Sequence, residues 1–584
     1  MCGISGFNWE DKQKAGEMVS ALSYRGPDAD GIFAGKGISL GHNRLAVIDL
    51  SADANQPMFS AENDLVIVFN GEIYNFKELK KELEGGYAFK TKSDTEVILA
   101  GYKKWGKGVA ARLNGMFAFA IWDKRDNSLF CARDHAGMKP FYYFWDGTKF
   151  IFASEMSAIL THPVPRTLNR EAFNHYLRVL YVPEPMTLLK NIYKLPPSHT
   201  LVLKDGALTA EAYGQEPAAK SGLSYADAVA AVRQKTIEAV ERHLVSDVPV
   251  GVYLSGGIDS STVLFAMSQV RKNIKTFTIG FGLGEGEEST KFNSDAELAK
   301  KTASFFGTEH HEVVVSAQDV LDSFGQVVRH NSDPISNPTA TAMYSLAKFA
   351  KEKVTVCLTG NAGDELFGGY ERYRRALLAR YVLGRSDLFA RFMFIKDPLL
   401  ERVLAPRFFV PDRPVKTYYA RYLAGADAAE ALMHADERSW LPDYFFMLSD
   451  KMSMASALEE RMPLCDKELA ALARSLPRRY KVDLFGTKKV LKDAFKDDLP
   501  EYLFNQPKRG WFAPAAKWLR NPEFSRFARD VLSPGYYAGT TSLFNWPAVA
   551  QMLEKHIDKR EYNLTLLWAI ITFQTWAREF KIEV

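Results

Sequence analysis

Cys2 is the first residue of this sequence with distinctive reactivity. A small second residue permits removal of Met1, and the thiol would then lie beside a free α-amine. An unperturbed α-amine titrates at about pH 8 and a thiol at about 8.5, so the amine can act as the base for its own cysteine. A cysteine at position 2 is by itself more often incidental. Residues further along the chain strengthen the interpretation of Cys2 as a nucleophile.

Polar residues suited to capturing an amino acid follow within the first hundred positions. Arg44 offers a guanidinium, the natural bidentate partner of a carboxylate. Asn70 and Gly71 come directly after an apolar run, where an amide side chain and a glycine N–H can form an oxyanion hole. Asp94 caps a predicted helix and can hold an ammonium group. Each of these residues alone also fits a structural role, and their joint occurrence behind Cys2 indicates a binding site.

A glycine-rich loop, residues 255–261, lies between a predicted strand and a predicted helix. Glycines let the backbone close around an anion, and a helix N-terminus with serine hydroxyls donates to that anion. The loop is not a Walker A motif, because no Gly-Lys-Ser/Thr follows it. Its Asp259 indicates a carboxylate that binds Mg²⁺ rather than a lysine that contacts phosphate. These features predict a phosphate-binding loop.

A second predicted strand ends in a similar pattern, residues 359–365, which contains Gly360 and Asp364. Two strand ends that each carry Gly and Asp suit a ligand crevice at the carboxyl edge of a parallel sheet. Asp364 can share a Mg²⁺ with Asp259. Further along, Lys508 lies in a Gly- and Pro-flanked basic loop that suits pyrophosphate, although a solvated turn has the same composition.

The elements that must position these residues change in character along the chain. Short β-rich runs with intervening helices fill the first 200 residues and predict a mixed α+β half with sheets at its core. Residues 214–224 are small and polar, as in a linker. Beyond them, short apolar strands alternate with helices, which is typical of a parallel α/β sheet, and the chain is largely helical after Tyr370. We therefore predict domains at 1–213 and 225–584.

Composition bounds the class of protein. The 584 residues are 47% hydrophobic and 25% charged, which excludes a disordered or fibrous chain. The net charge of +4 without a basic block gives no case for a nucleic-acid partner. Four scattered cysteines favour a reducing compartment over a disulfide framework. With no signal sequence and no apolar stretch of roughly 20 residues, we expect a cytoplasmic protein without a membrane partner.

Taken together, the motifs resemble the glutamine-dependent asparagine synthetase family over nearly the whole chain. The matching segments include residues 1–4, 25–28, 70–75, 93–96, 255–261, 450–455, 458–463 and 508–510. The resemblance implies an N-terminal-nucleophile hydrolase sandwich with αββα layers. An α/β parallel-sheet domain with a pyrophosphatase-type loop and a helical C-terminal part would follow it.

The resemblance also implies roles for individual residues. Cys2 would be the glutaminase nucleophile, with Asn70 and Gly71 as the oxyanion hole. The residues implied to hold glutamine are Arg44, Asn70, Gly71, Glu72 and Asp94. Those implied to contact ATP are Leu254, Ser255, Gly256, Gly257, Asp259, Ser260, Ile279, Thr359 and Gly360. The implied Mg²⁺ ligands are Asp259 and Asp364, the implied adenylate-site residues are Asn361, Glu365 and Asp450, and Lys508 would stabilise the adenylation transition state.

The family reaction joins a carboxylate to MgATP, giving an acyl-adenylate and pyrophosphate. Ammonia released at Cys2 then crosses an internal channel and converts the adenylate into an amide. The implied substrates are glutamine, ATP and aspartate or another carboxylate, and the family assignment allows a homodimer.

One departure from the family pattern bears on the acceptor. Asparagine-making members carry a glutamate at the position of Asn361, tied to the adenylate and to deprotonation of ammonia. A carboxamide does not accept a proton near neutral pH, so Asn361 cannot be a general base. Either another group does this work, or the acceptor is not aspartate. Tyr24 replaces a frequent histidine, a minor change, and for the adjacent pair His310 and His311 we favour a structural role over metal binding.

Three hypotheses follow. The first is glutamine-hydrolysing asparagine synthesis. The second is the same chemistry on another carboxylate, such as a uronic acid or a secondary metabolite. The third is a non-catalytic nucleotide-binding or interaction protein, which is disfavoured because Cys2, Asp259, Asp364 and Lys508 are all present.

Overall fold

Two six-stranded antiparallel sheets form the first part of the chain, with strand orders β10-β8-β9-β1-β3-β2 and β12-β11-β7-β6-β5-β4. Their strands are β1 (Gly3–Phe7), β2 (Ala29–Gly35), β3 (Ile38–Arg44), β4 (Met58–Phe59), β5 (Leu65–Ile73), β6 (Gly115–Asp123), β7 (Ser128–Arg133), β8 (Tyr142–Trp145), β9 (Phe150–Ala153), β10 (Ile192–Lys194), β11 (His199–Lys204) and β12 (Ala207–Ala212). The helices of this part are α1 (Lys12–Leu22), α2 (Phe76–Leu83), α3 (Asp94–Trp105), α4 (Val109–Arg112), α5 (Met156–Ile159) and α6 (Arg170–Val179). This computed structural model describes residues 1–214, 220–283, 289–383, 388–423, 427–505 and 512–584.

The two sheets pack face to face, and helices cover their outer faces. Side chains on β5 alternate between two cores: Val66 and Val68 face the first sheet, while Ile67 and Phe69 pack against α2 and α3. This period of two is the geometry of a strand, and burial on both faces explains the continuous apolar run. Because α1 covers the first sheet, the layers are αββα, and the predicted fold class of this part is confirmed.

A five-stranded parallel sheet, in the order β15-β14-β13-β16-β17, forms the centre of the second part. Its strands are β13 (Val250–Tyr253), β14 (Lys275–Phe281), β15 (Glu309–Val315), β16 (Val356–Leu358) and β17 (Glu459–Arg461). The chain runs outward from β13 through β14 to β15, and then returns to place β16 on the other side of β13. Such a switch point opens a crevice at the carboxyl ends of the two central strands. The prediction of a parallel α/β sheet is confirmed.

Helices surround this sheet and make up most of the remaining chain. They are α7 (Tyr225–His243), α8 (Ile258–Ser268), α9 (Ser289–Phe306), α10 (Ala317–Asn331), α11 (Ala340–Lys351), α12 (Gly363–Phe367), α13 (Glu371–Leu383), α14 (Leu388–Phe392), α15 (Asp397–Val403), α16 (Arg413–Leu423), α17 (Ala428–Ala435), α18 (Phe446–Met454), α19 (Lys467–Ser475), α20 (Arg478–Lys481), α21 (Lys489–Phe495), α22 (Ala515–Trp518), α23 (Pro522–Val531), α24 (Trp546–Ile557) and α25 (Leu564–Glu579). A π-helical segment, Asp436–Phe445, leads directly into α18.

Two predictions concern residues that lie wholly or partly outside the described part of the chain. Lys508 lies outside the described residues, as do residues 215–219 of the predicted linker at 214–224. Within the described residues, no helix combines the length and apolar character needed to cross a membrane.

Candidate active sites

The first candidate site surrounds Cys2, at the entry to β1. The backbone N–H of Cys2 donates to Asn70 Oδ1 at 3.0 Å. This contact fixes the amide plane of Asn70, and its Nδ2 is then a buried donor with no hydrogen-bond partner among the described residues. Buried donors are nearly always paired, so this N–H is available for a ligand oxygen. The pair therefore has the polarity of an oxyanion hole beside a thiol.

Gly71 makes this arrangement possible. Asn70 and Gly71 do not follow β5, as the sequence suggested, but lie within it, because the pairing of β5 with β6 continues to Ile73 and Gly115. Gly71 has φ +154°, and a Cβ there would lie 2.0 Å from the carbonyl oxygen of Met116. A glycine is therefore required for the two strands to stay paired beside Asn70.

The ionisation of Cys2 depends on its burial and on a nearby α-amine. Burial raises the pKa of the Cys2 thiol, and the α-ammonium group of Met1 opposes that rise. This ammonium lies 2.7 Å from Glu459 Oε2, with both groups fully buried. Arg461 Nε donates to the other oxygen of Glu459 at 2.6 Å. The amino terminus thus contacts strand β17 of the second part of the chain.

The residues predicted to hold glutamine lie in different environments. Arg44 donates to Ser51 O and Asn55 Oδ1, both at 2.7 Å, so its guanidinium orders the loop that follows β3. Glu72 lies 3.5 Å from Arg461 Nη2, and burial together with the charge of Glu459 raises its pKa well above the usual range.

Asp94 is the first residue of α3, which Ser93 caps by accepting from the N–H of Thr95 at 3.1 Å. Asp94 Oδ2 accepts from the N–H of Ile73 at 2.8 Å. This bond fastens α3 to the end of β5, the strand that carries Asn70 to Glu72. Burial raises the pKa of Asp94 to about 6, so its carboxylate charge is sensitive to mildly acidic conditions.

The second candidate site is a cavity of about 1410 Å³ at the switch point of the parallel sheet. Residues of the loops after β13 and β16 line it, at the carboxyl edge of the sheet. The predicted residues that line it are Leu254, Ser255, Gly256, Gly257, Asp259, Ser260, Ile279, Thr359, Gly360, Asn361, Asp364 and Glu365. Asp450 does not line it.

Asp259 and Asp364 converge at this cavity although 105 positions separate them in the sequence. Glycines permit the approach, since a Cβ on Gly363 would lie 2.7 Å from Asp259 Cγ. Lys488 Nζ contacts both carboxylates, at 2.5 Å from Asp364 Oδ1 and hydrogen-bonded to Asp259 Oδ2. Burial lowers the pKa of Lys488, but the two carboxylates outweigh burial and raise it above its usual value. Cation binding between the two aspartates is therefore favourable.

The donor set here also fits Mg²⁺. Asp259 Oδ1 is buried and has no hydrogen-bond partner among the described residues, and Mg²⁺ in phosphate sites prefers one or two carboxylates. Sequence reasoning missed Lys488, because a lysine before a seven-residue helix carries no pattern. Only the fold brings it to Asp259.

A hydrogen-bonded row of side chains leads away from Asn361. Its Nδ2 donates to Ser449 Oγ at 3.2 Å, and Ser449 Oγ donates to Glu460 Oε2. All three residues line the cavity at the switch point, which we call the nucleotide cavity after the ligand that the sequence predicts for it. Sequence reasoning did not single out Ser449 or Glu460, although the paired acids at 459–460 were a visible signal.

The other two residues predicted for the adenylate site differ in placement. Tyr370 OH donates to Glu365 Oε1 at 2.6 Å, and burial with the charge of Asp364 raises the pKa of Glu365 to about 7. Asp450 instead pairs with Arg25 and Lys139, at 2.7 and 3.1 Å. It therefore joins the two parts of the chain rather than facing the cavity.

Buried ion pairs connect the two parts around Asp450. Arg25 also contacts Glu155 at 2.6 Å, and Lys451 lies 3.4 Å from Glu155. These side chains are fully buried. Removal of one partner would leave an uncompensated buried charge, so the relative position of the two candidate sites is strongly constrained.

Comparison with known proteins agrees with this architecture. A glutamine amidotransferase domain model matches residues 1–214, and an asparagine synthase model matches residues 231–578. The chain is 33% identical over 622 residues to asparagine synthetase [glutamine-hydrolyzing] 1 of Bacillus subtilis, covering 99% of this chain and 96% of that protein. Asparagine synthetase [glutamine-hydrolyzing] 3 of the same organism is 31% identical over 567 residues, covering 91% and 89%. Amidase chry2 of Gibberella zeae is 25% identical over 662 residues, covering 96% of each chain.

An N-terminal-nucleophile sandwich followed by a nucleotide-binding parallel sheet defines a glutamine-dependent carbon–nitrogen ligase. The chain belongs to the asparagine synthase family.

Proposed function

We propose that the protein makes asparagine from aspartate, with glutamine as the nitrogen source and MgATP as the energy source. The products are asparagine, glutamate, AMP and pyrophosphate. The observation that carries this proposal is the position of β17, whose three residues contribute to both candidate sites. Glu459 contacts the amino terminus next to Cys2, and Glu460 lines the nucleotide cavity.

In the glutaminase step, the Cys2 thiolate attacks the side-chain amide carbon of glutamine. Asn70 Nδ2, which has no partner among the described residues, donates to the oxyanion together with the N–H of Gly71. Once Met1 is removed, the α-amine of Cys2 accepts the thiol proton and returns it to the leaving ammonia. Water then hydrolyses the glutamyl thioester, which releases glutamate and restores the thiol. Arg44, Glu72 and Asp94 are the groups that hold the substrate's carboxylate and ammonium.

In the synthetase step, the acceptor carboxylate attacks the α-phosphate of ATP and pyrophosphate leaves. The backbone of residues 255–260 and the N-terminus of α8 bind the phosphates. Asp259 and Asp364 would hold Mg²⁺, which neutralises phosphate charge when it is bound. We assign Lys508 to the pyrophosphate on the basis of the family resemblance alone.

We further propose a glutaminase domain at 1–213, a linker at 214–224 and a synthetase domain at 225–584. Ammonia would cross between them beside β17, where buried side chains from both parts meet and exclude water.

A second candidate function is the same chemistry on another carboxylic acid, such as a uronic acid. Asn361 favours it, since a carboxamide cannot deprotonate ammonia. A relative named as an amidase, at 25% identity, is compatible with acceptors other than aspartate.

The test is product analysis with the purified protein, glutamine and MgATP, using aspartate and a panel of other carboxylates. Asparagine formed with AMP and pyrophosphate in equal amounts supports the first function. Turnover of another acid but not of aspartate supports the second. Absence of both glutaminase and ATP turnover would contradict both and favour a non-catalytic protein. Asn361→Glu is measured in parallel: if wild type turns aspartate over at roughly 1–10³ per second and the variant adds nothing, Asn361 does not limit the reaction.

A further inference from the structure

A carboxylate lies one side chain beyond Asn361 in the wall of the nucleotide cavity. Asn361 Nδ2 donates to Ser449 Oγ at 3.2 Å, and the Ser449 hydroxyl donates to Glu460 Oε2. Ser449 is fully buried and Glu460 is 3% exposed. The three residues come from the loop after β16, from α18 and from β17, so only the fold assembles them.

We propose that Glu460 is the carboxylate that takes up the proton released when ammonia attacks the acyl-adenylate. The inference rests on the proposed function, because it requires an acyl-adenylate next to Asn361. It replaces the base that a carboxamide at position 361 cannot provide.

The proton balance of this step is simple. The ammonia lone pair forms the C–N bond, and the acyl C–O bond to the phosphate of AMP breaks. The nitrogen then carries one proton too many for a neutral amide. That proton moves through the Ser449 hydroxyl, which passes its own proton to Glu460 Oε2. Glu460 later returns the proton to solvent, so no further reactant is needed.

The surroundings of Glu460 suit this role. Burial raises its pKa to about 8, against the lowering effects of the Ser449 hydroxyl and the Lys139 ammonium, while Asp450 adds to the rise. The charge of Glu460 also contributes to the raised pKa values of Cys357 on the adjacent strand β16 and of Tyr253 on β13. A general base is most effective when its pKa lies near the working pH.

Four other carboxylates near the cavity have partners of their own. Asp259 and Asp364 share Lys488, Glu365 accepts from Tyr370, and Glu459 accepts from Arg461 Nε at 2.6 Å. Among these acids, Glu460 is the one in the hydrogen-bonded row that begins at Asn361.

The experiment separates adenylation from amide formation. Glu460→Gln keeps the shape of the side chain and removes the base, and Glu241→Gln on the exposed face of α7 is the matched control. Adenylation is measured as acceptor-dependent exchange of labelled pyrophosphate into ATP. Amide formation is measured in a single turnover, by adding ammonia to the preformed adenylate at a fixed concentration of free ammonia across pH 6–9.

We expect Glu460→Gln to retain pyrophosphate exchange and glutaminase activity within about twofold. Its amide-forming rate should fall about 10²–10⁴-fold, the usual cost of losing a positioned base. The wild-type rate should rise with pH up to about 8, as Glu460 loses its proton, and the variant should lack this rise. Introducing Asn361→Glu into Glu460→Gln puts a carboxylate at the other end of the hydrogen-bonded row. This second change should raise the amide-forming rate of Glu460→Gln at least tenfold.

Several results would overturn the proposal. Equal losses of exchange and amide formation in Glu460→Gln would show a structural role. A raised KM for the acceptor with unchanged kcat would show substrate binding instead. If Glu460→Gln forms the amide as fast as the wild type, Glu460 is not the base, and the proposed function still stands. If the wild type shows neither pyrophosphate exchange nor glutaminase activity, the proposed function is rejected as well.

Discussion

Glu459 and Glu460 are neighbours on β17, yet their side chains reach different candidate sites. Glu459 Oε2 lies 2.7 Å from the α-ammonium group of Met1, while Glu460 accepts from Ser449 at the nucleotide cavity. Successive residues of a strand point to opposite faces, so one three-residue strand separates the two sites.

Cys2→Ala should abolish glutaminase activity and leave ammonia-dependent amide synthesis within about twofold. The variant keeps the N–H that donates to Asn70 Oδ1 and removes only the thiol that we propose as the nucleophile. Glutamate release and amide formation from ammonium chloride are the two measurements. Intact-mass spectrometry of the active wild type should show loss of Met1. Glutamine-dependent synthesis by Cys2→Ala would contradict the assignment.

Asp259→Asn and Asp364→Asn should each reduce pyrophosphate exchange by at least 10²-fold. Either change removes one of two carboxylates that converge on the same cation position, where Lys488 now contacts both. Glutaminase activity should persist, because the Cys2 site lies in the other part of the chain. Asp530→Asn, on the exposed face of α23, is the control and should match wild type. Exchange at wild-type rates in both variants would show that these carboxylates do not bind the nucleotide's metal.

Gly71→Ala should destabilise the protein and abolish glutaminase activity. The added Cβ would lie 2.0 Å from Met116 O, so β5 must separate from β6 beside Asn70. Overpacking of this kind costs about 1–3 kcal/mol, which thermal unfolding detects as a lower Tm. A Cβ added at Gly85 meets nothing within 4 Å, so Gly85→Ala should leave Tm and activity unchanged. A fully active Gly71→Ala would mean that the strand tolerates the shift.

Arg25→Met should lower the free energy of unfolding by about 3–5 kcal/mol, because Asp450 and Glu155 would each lose a partner within a buried network. Arg329→Met is the comparison, since its pair with Glu579 is largely exposed and should contribute at most about 1 kcal/mol. Denaturant unfolding of both variants measures the difference. Equal small losses would argue that water reaches the Arg25 network.

Glu460→Gln should change how stability depends on pH. Folded Glu460 has a pKa of about 8, whereas an unfolded glutamate titrates at about 4.3. Between these values the folded state retains a proton that the unfolded state has lost, so the free energy of unfolding falls as pH rises. Glutamine does not titrate, so the Tm of Glu460→Gln relative to wild type should increase from pH 5 to pH 8 and then level off. A Tm difference that is flat across this range would mean that Glu460 is already ionised at pH 5.

Local patterns predicted much of the fold. The apolar run at residues 275–281 is typical of a strand and forms β14, Lys275–Phe281, and the apolar spacing at residues 76–83 is typical of a helix and forms α2, Phe76–Leu83. Both are set by short-range apolar spacing. The apolar run at residues 64–69 predicts a strand that ends before Asn70, but β5 extends to Ile73, because the polar segment Asn70 to Glu72 pairs with β6. The pattern of apolar residues in one strand does not show that the polar residues after it pair with another strand.

The site residues could be predicted from the sequence only where the reactive residues of a motif lie within a few positions of one another. The loop after β13 is such a case, with glycines and Asp259 side by side. Lys488 is 229 positions from Asp259, and Ser449 is 88 positions from Asn361. Long-range packing creates these contacts, so residue spacing could not indicate them. For the same reason, Asp450 was expected at the adenylate but lies with Arg25 and Lys139.

The buried charges around Asp450 have a consequence for how this gene can evolve. Arg25 and Lys139 come from the amidotransferase part, and Asp450 and Lys451 come from the synthetase part. Fission into two separately encoded subunits would expose these charges to water on each free piece, and reassembly would have to strip that water from every ion at once. The same surface resists exchange with the corresponding half of a distant homologue unless the acids and bases change together. Inheritance as one continuous reading frame keeps matched partners on the same polypeptide.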